Sequence, residues 1–338
     1  MELTGDPVGV ARAVAEDLLF PAALAIERSH VVPLAYLDAL ADGGLYGLFA
    51  PADVGGFDAD PLTAARVIEI LGGASLTTAF IWIQHHNAVR ALRFSRSSLR
   101  DAWLAPLAGG MVRSGIAYAA LRRPGPPAME ARPAGDGWLL TGEAPWVTGW
   151  GRIGIIIAGA RRGDHLVWAL LDASEAPTLT ATPLELAAVA ASSTVTLRLE
   201  GHPVGADRVV EVEAFADWRR RDALDPRSNG YLALGVAARA ASLTGDPSLT
   251  AAVDRAREAL DGVEGAQAVM VRAKVSLLAV RVTTALMVQG GGRSIELGHH
   301  AQRLAREAMF LLVFGQTSSI RAAQMHLLTG AGPICLLE

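Results

Sequence analysis

Two residue types are almost missing from this chain of 338 residues. Cysteine occurs once, as Cys335, and lysine once, as Lys274. One cysteine cannot form a disulfide within the chain or a thiolate metal cluster, so we expect neither. The single lysine lies outside any G-x-x-x-x-G-K-[S/T] pattern, which excludes a phosphate-binding loop of the Walker type.

Long apolar runs and a strong net charge are also missing. Hydrophobic residues make up 51% and the mean hydropathy is +0.31, yet no run approaches the roughly 18–20 residues of a membrane span. The net charge is −4 with both signs dispersed, which argues against nucleic-acid binding. The apolar excess therefore predicts a large core and a subunit interface, in a homo- or hetero-oligomer. No basic segment precedes an apolar block at the N-terminus, so we expect no signal peptide and a cytoplasmic protein.

The first part of the chain, from about Val8 to Leu107, has the apolar spacing of helices. Between two of them lies Gly44–Phe57, whose glycines permit tight turns. The later helices of this part are predicted at Leu62–Leu71, Ser75–Phe94 and Ser97–Leu107.

Strand-like runs separated by Gly, Pro and Asp follow from Met111 to Val212. Short strands at this spacing predict a small antiparallel barrel or sandwich. Helices resume at about Ala214, with predicted members at Ser228–Leu243, Leu249–Leu260 and Gln267–Met287. The sequence thus predicts an α+β fold of three domains, at 1–110, 111–212 and 213–338.

The stretch Gly137–Gly149 reads G-W-L-L-T-G-E-A-P-W-V-T-G. In a strand, residues two apart share a face, so the indole of Trp146 and the hydroxyl of Thr148 would point the same way. A flat apolar wall beside one hydroxyl suits a flat heteroaromatic ligand. The alternative is a β-hairpin with a core tryptophan and a turn threonine.

This stretch resembles the central signature of the acyl-CoA dehydrogenase superfamily, G-x-x-L-x-G-x-K-x-W-I-T-N. Residues Gly44–Gly56 likewise resemble its G-L-x-G-x-x-x-P-x-x-x-G-G motif. The resemblance implies a helical N-terminal domain, a β middle domain, a C-terminal helical bundle and FAD bound at a subunit interface. It also implies that Trp146 packs beside the isoalloxazine and that Thr148 approaches its N5 edge.

The chain departs from the family at both cofactor loops. The pattern's lysine and asparagine are Ala144 and Gly149, and the usual T-E-P-x-x-G-S-D is replaced by Ala119–Ala128. No R-x-x-F-G segment follows the later helix. We therefore expect FAD binding to be weak or partner-dependent. Tyr118 and Gly291 remain cofactor-binding candidates, the latter in a glycine cluster whose backbone amides could approach a pyrophosphate.

The usual catalytic base of the family, the glutamate of Y-E-G-T, aligns with Gly315. Some members carry the base about ten residues before a glycine of the cavity-floor helix. Counting back from Gly235 gives Asp225, the candidate for a carboxylate that removes the α-proton. The alternative is that Asp225 caps a helix that begins with Pro226.

His85 and His86 lie inside one predicted helix. Adjacent helical residues point about 100° apart, so they form a poor metal pair, and we expect no metal site. We expect one histidine at the surface and the other buried and hydrogen-bonded. Because the family's helix borders the flavin and acyl cavity, both histidines, Phe314 and Gly315 are candidates for the substrate cavity.

Three functions fit these observations. The first is a flavoprotein oxidoreductase of fatty acid metabolism that dehydrogenates acyl-CoA or another acyl thioester, with electron-transfer flavoprotein as a partner. The second is a catalytically silent or flavin-poor subunit that pairs with an active paralogue. The third is a flavin-dependent monooxygenase of the same fold.

Overall fold

The computed structural model describes residues 5–95, 98–222 and 227–330. Within these ranges the chain forms six helices, then eight strands, then six more helices. The first helices are α1 (Pro7–Val14), α2 (Phe20–Arg28), α3 (Leu34–Asp42), α4 (Pro61–Ala74), α5 (Leu76–Arg93) and α6 (Ser98–Ala108). The strands are β1 (Ser114–Ala117), β2 (Met129–Ala134), β3 (Gly137–Val147), β4 (Ile155–Arg162), β5 (His165–Asp172), β6 (Leu179–Pro183), β7 (Val195–Val204) and β8 (Val209–Ala214). The last helices are α7 (Phe215–Asp222), α8 (Ser228–Thr244), α9 (Pro247–Asp261), α10 (Gln267–Gly290), α11 (His300–Val313) and α12 (Ser318–Thr329). This order confirms the predicted fold, with helices on both sides of a β middle region.

Three helices begin at the same dipeptide, an aspartate followed by proline. Asp6–Pro7, Asp60–Pro61 and Asp246–Pro247 start α1, α4 and α9, and each aspartate accepts hydrogen bonds from backbone N–H groups of the first turn. Proline suits the first helical position because its missing N–H would have no partner there. The fourth such pair, Asp225–Pro226, lies outside the described residues.

The eight strands form one sheet in the order β6-β7-β3-β2-β4-β5-β8, with β1 beside β4. The pairings are antiparallel except that β1 and β2 each run parallel to β4. The sheet is therefore mixed, and the expectation of a purely antiparallel arrangement is wrong for these two pairings. Ile155 and Ile157 of β4 pack into the core shared with the first helices, whereas Ile156 and Ala158 pack into a core of the sheet itself. Both faces are thus buried, which explains the unbroken apolar sequence of this strand.

Helices from both ends of the chain share one core, formed mainly by α1, α4, α5, α8, α10 and α11. Glycines let α4 and α8 cross closely: a Cβ on Gly235 would lie 2.0 Å from the carbonyl oxygen of Glu69, and one on Gly73 would lie 2.5 Å from that of Gly235. Because this core joins the two helical regions, the domain limits drawn from the sequence remain a prediction. In the described ranges, every helix is too short or too polar to cross a bilayer.

Candidate functional site

A cavity of about 540 Å³ opens where the sheet meets the helices of both chain ends. Its walls come from α5, the end of β3, the loop after β1, the start of α8, and the segment that joins α11 to α12. This volume lies within the range of about 300–1,000 Å³ that is typical of small-molecule sites.

Helix α5 supplies one wall. Phe80, Ile83, Gln84, Asn87 and Arg90 line the cavity and recur at the three- and four-residue spacing of one helix face. Phe80 and Asn87 are seven residues apart, which corresponds to about 10 Å along the helix axis. The cavity therefore has two ends, which differ in chemistry.

The inner end is aromatic. The ring centroid of Phe80 lies 5.1 Å from that of Phe310 and 4.9 Å from that of Phe314, and Phe310 and Phe314 stack at 5.4 Å. The Trp146 ring lies 6.4 Å from Phe310. We call Phe80, Trp146, Phe310 and Phe314 the aromatic cluster. It offers flat apolar surfaces to a ligand.

The outer end is polar. The Tyr118 hydroxyl donates a hydrogen bond of 2.7 Å to Oδ1 of Asn87. The Arg122 guanidinium donates two, of 2.8 and 2.6 Å, to the Asp222 carboxylate. Burial raises the pKa of Tyr118. Burial also lowers the pKa of Arg122, but the hydrogen bonds and charge of Asp222 outweigh that effect and raise it overall.

Positive charge predominates along the cavity wall. Among the described residues, Asp222 is the one carboxylate that lines it, and Arg122 engages both of its oxygens. The arginines that line the cavity are Arg90, Arg122, Arg123, Arg221 and Arg321. This excess suits an anionic ligand such as a phosphate ester.

Trp146 and Thr148 do not share a strand face. β3 ends at Val147, the register to β7 shifts between Ala144 and Val147, and Trp146 has a φ of 66°. The expectation of a regular strand is wrong at this point, because the left-handed backbone turns the chain locally. Trp146 lines the cavity. Thr148 is fully buried outside the lining, and its hydroxyl lies 3.2 Å from that of Thr194.

Both adjacent histidines are buried, each about 1% exposed, so the expectation that one is at the surface is wrong. Nδ1 of His85 accepts a hydrogen bond of 3.2 Å from the backbone N–H of Ser114. The ring of His86 packs edge-on against Phe49 and Trp82, and its two nitrogens have no partner in the described part of the chain. Burial lowers the pKa of His85 to about 3 and that of His86 well below its ordinary value, so both rings are neutral near pH 7.

His86 lines the cavity, whereas His85 does not. Among the described residues, no three His, Cys, Asp or Glu side chains lie close enough together to hold a metal ion.

Tyr118, Phe314 and Gly315 also line the cavity. Gly315 has a φ of 61°, and a Cβ there would lie 2.1 Å from Nδ2 of Asn229. A glutamate therefore cannot replace Gly315 unless Asn229 moves. Gly291 is exposed at the end of α10 and is not part of this cavity. Asp225 lies outside the described residues.

Sequence reasoning missed Gln84, Asn229 and the Arg122–Asp222 pair. The helical spacing of Phe80, Gln84 and Asn87 places Gln84 on the same face as the other two, and this could have been recognised from the sequence. The adjacent histidines were considered instead. Asn229 and Asp222 reach the cavity through the packing of α7 and α8, which leaves no local pattern in the sequence.

Comparison with known proteins gives a family match over the first part of the chain. Residues 8–111 match the model of the acyl-CoA dehydrogenase N-terminal domain. The human mitochondrial short-chain specific acyl-CoA dehydrogenase is 28% identical over 145 residues, which cover 40% of this chain and 34% of that protein. The match thus spans about a third of the length of this relative.

Solved structures match nearly the whole chain. Butyryl-CoA dehydrogenase from Megasphaera elsdenii superposes with a TM-score of 0.79 at 17% identity, over 97% of this chain and 98% of that one. A glutaryl-CoA dehydrogenase from Mycobacterium smegmatis in complex with FADH2 superposes with a TM-score of 0.77 at 16% identity, over 97% and 95%. The structural likeness shows the same fold. Together with the family match over residues 8–111, it confirms the resemblance to the acyl-CoA dehydrogenase superfamily that the sequence motifs indicate.

Proposed function

We propose that this chain is an FAD-dependent oxidoreductase that acts on an acyl thioester. One observation carries the proposal: the same cavity is lined by the aromatic cluster, with Trp146, and by a group of arginines. Flat rings and anionic groups are the two parts that a flavin nucleotide and an acyl thioester of coenzyme A have in common. When bound, the flavin would supply the hydride acceptor.

The residues present fit the ring of a flavin better than its phosphates. Trp146 offers a flat face, and Asn87 and Tyr118 offer polar groups to the same cavity. The glycines at 290–292, proposed to approach a pyrophosphate, are exposed and away from this cavity. We propose that they serve the cavity of a second copy in an oligomer.

The described part of the cavity wall offers no unpaired carboxylate that could accept a proton. Dehydrogenation next to a thioester carbonyl needs a base within about 3–3.5 Å of the α-carbon. Gly315 has no side chain, and Asp222 is held by Arg122 through both oxygens. We therefore propose Asp225, three residues beyond Asp222, as the base. The three helix-capping Asp–Pro pairs of this chain support the capping alternative for the same residue.

The substitution Asp225→Asn separates the two roles, because asparagine keeps the shape and much of the capping ability but is not a base. If Asp225 is the base, turnover of an acyl-CoA should fall at least about 100-fold while the melting temperature changes little. Unchanged turnover would exclude Asp225 as the base.

A second candidate is the catalytically silent subunit. The observation that favours it is that, within the described residues, the cavity wall has no carboxylate free of an arginine partner. The two candidates differ in one anaerobic experiment. An active dehydrogenase loses its flavin absorbance when an acyl-CoA is added, whereas a silent subunit keeps it or contains no flavin.

A further inference from the structure

Two carboxamide side chains line the cavity without a structural role. The Gln84 side chain is 4% exposed, and in the described ranges it forms no hydrogen bond. The oxygen and nitrogen of its amide keep some accessible surface, so the amide faces the cavity. The half-buried Asn229 also lines the cavity, and its amide likewise makes no hydrogen bond to a described residue.

Both amides lie beside the aromatic cluster. Gln84 is one helical turn beyond Phe80 on the same face of α5. The Asn229 amide lies against Gly315, the residue after Phe314, and Phe314 is 4.9 Å from Phe80. The inner end of the cavity thus combines apolar rings with two uncharged groups that can each donate and accept hydrogen bonds.

The other polar groups near the aromatic cluster have less capacity than these two amides to form hydrogen bonds with a ligand. Asn87 and Tyr118 are bonded to each other, and both ring nitrogens of His86 are enclosed behind Phe49 and Trp82. Arg122, which pairs with Asp222, belongs to the outer end beside Tyr118. Arg321 lines the cavity as well, and its guanidinium donates a hydrogen bond to Oε1 of Gln316. A ligand group between Gln84 and Asn229 would therefore meet two neutral amides that have no partner among the described residues.

A purely aliphatic acyl chain would remove water from these amides and give them no partner, which weakens binding. We propose that Gln84 and Asn229 select a ligand whose inner part is a flat apolar body that carries an uncharged carbonyl, carboxamide or hydroxyl group. This inference specifies the class of substrate for the proposed function. It rests on the proposed function in one respect, namely that this cavity is the ligand site.

The test uses two small molecules of matched shape, benzamide and α-methylstyrene, which differ in whether the side group can form hydrogen bonds. Calorimetry measures their affinities for the purified full chain and for the variants Gln84→Met and Asn229→Leu. The control is Gln289→Met, which removes an exposed glutamine outside the cavity. We expect the wild type and the control to bind benzamide at least about tenfold more tightly than α-methylstyrene, as a hydrogen bond lost in a desolvated site would give. Each of the other variants should lose most of this preference.

Equal binding of the two probes to the wild type, or no binding of either, would overturn the proposal even if the variants fold poorly. So would a preference that both cavity variants keep. Each protein is also titrated with FAD. Equal losses of FAD and benzamide affinity would assign the amides to the cofactor and overturn the proposal. A wild type that binds no FAD but prefers benzamide would refute the proposed function and support this inference.

Discussion

The close crossing of α4 and α8 makes Gly235→Ala a demanding test of the packing. The new Cβ would lie 2.0 Å from the carbonyl oxygen of Glu69 and 2.7 Å from the backbone nitrogen of Gly73. Both contacts are to backbone, so the Cβ and the Glu69 oxygen must move apart by about 1.5 Å to reach an ordinary contact distance. α4 is not free to move, because the Glu69 carboxylate is bound by Arg257 of α9 at 2.6 Å.

Overpacking a core typically costs about 1–3 kcal/mol, and contact between two backbones places this site at the upper end. Replacing a helical glycine with alanine returns about 1 kcal/mol of helix propensity. We therefore expect Gly235→Ala to lower the free energy of unfolding by about 2 kcal/mol, as measured by urea denaturation.

The matched control is Gly9→Ala in α1, where the nearest atom to the new Cβ is a side-chain oxygen at 3.4 Å. This variant should be as stable as the wild type or slightly more stable. If Gly235→Ala is as stable as Gly9→Ala, the described crossing of α4 and α8 is incorrect.

Two further predictions concern the last helices. We expect the chain to form an oligomer through the Gln267–Phe314 helices, where the side chain of Met309 is 54% exposed. Because a charge at this position would disfavour the contact, Met309→Asp should lower the sedimentation coefficient. A wild-type chain that sediments as a monomer at micromolar concentration, with no partner protein present, would refute this interface. Burial raises the pKa of Glu307 to about 7, although the charge of Arg303 opposes the shift. The pKa of Glu307 is higher in the folded than in the unfolded chain, so the protonated carboxyl stabilises the fold. This stabilisation is complete below about pH 4.5 and is lost as the pH rises through about 7. The free energy of unfolding of the wild type, relative to that of Glu307→Gln, should therefore be lower at pH 8 than at pH 5, and no change in this difference would contradict the assignment.

The fold followed from local signals that the sequence carries clearly. Predicted helix limits such as Ser75–Phe94 and Gln267–Met287 agree within three residues with α5 and α10, because apolar spacing and capping residues act over a few positions. The sequence did not show that successive residues of β4 enter two different cores, since both faces of this strand are covered and all its positions there are apolar.

The sequence predicted residues of the candidate site only where a local motif marks them. Trp146 was found from its motif, but its left-handed backbone was not, because non-glycine residues rarely adopt it. The burial of both His85 and His86 depends on rings brought in from other segments, among them Tyr46 and Phe49. Such contacts between distant segments leave no local pattern.

We propose that this cavity holds the flavin ring against Trp146. The most direct measurement is an equilibrium titration of the purified chain, freed of flavin, with FAD, for the wild type and for Trp146→Ala. We expect saturable but weak binding to the wild type, and affinity at least about tenfold lower for the variant because it loses one aromatic stacking partner. Equal affinity of the two proteins, or no saturable binding to the wild type alone or in its oligomer, would contradict it.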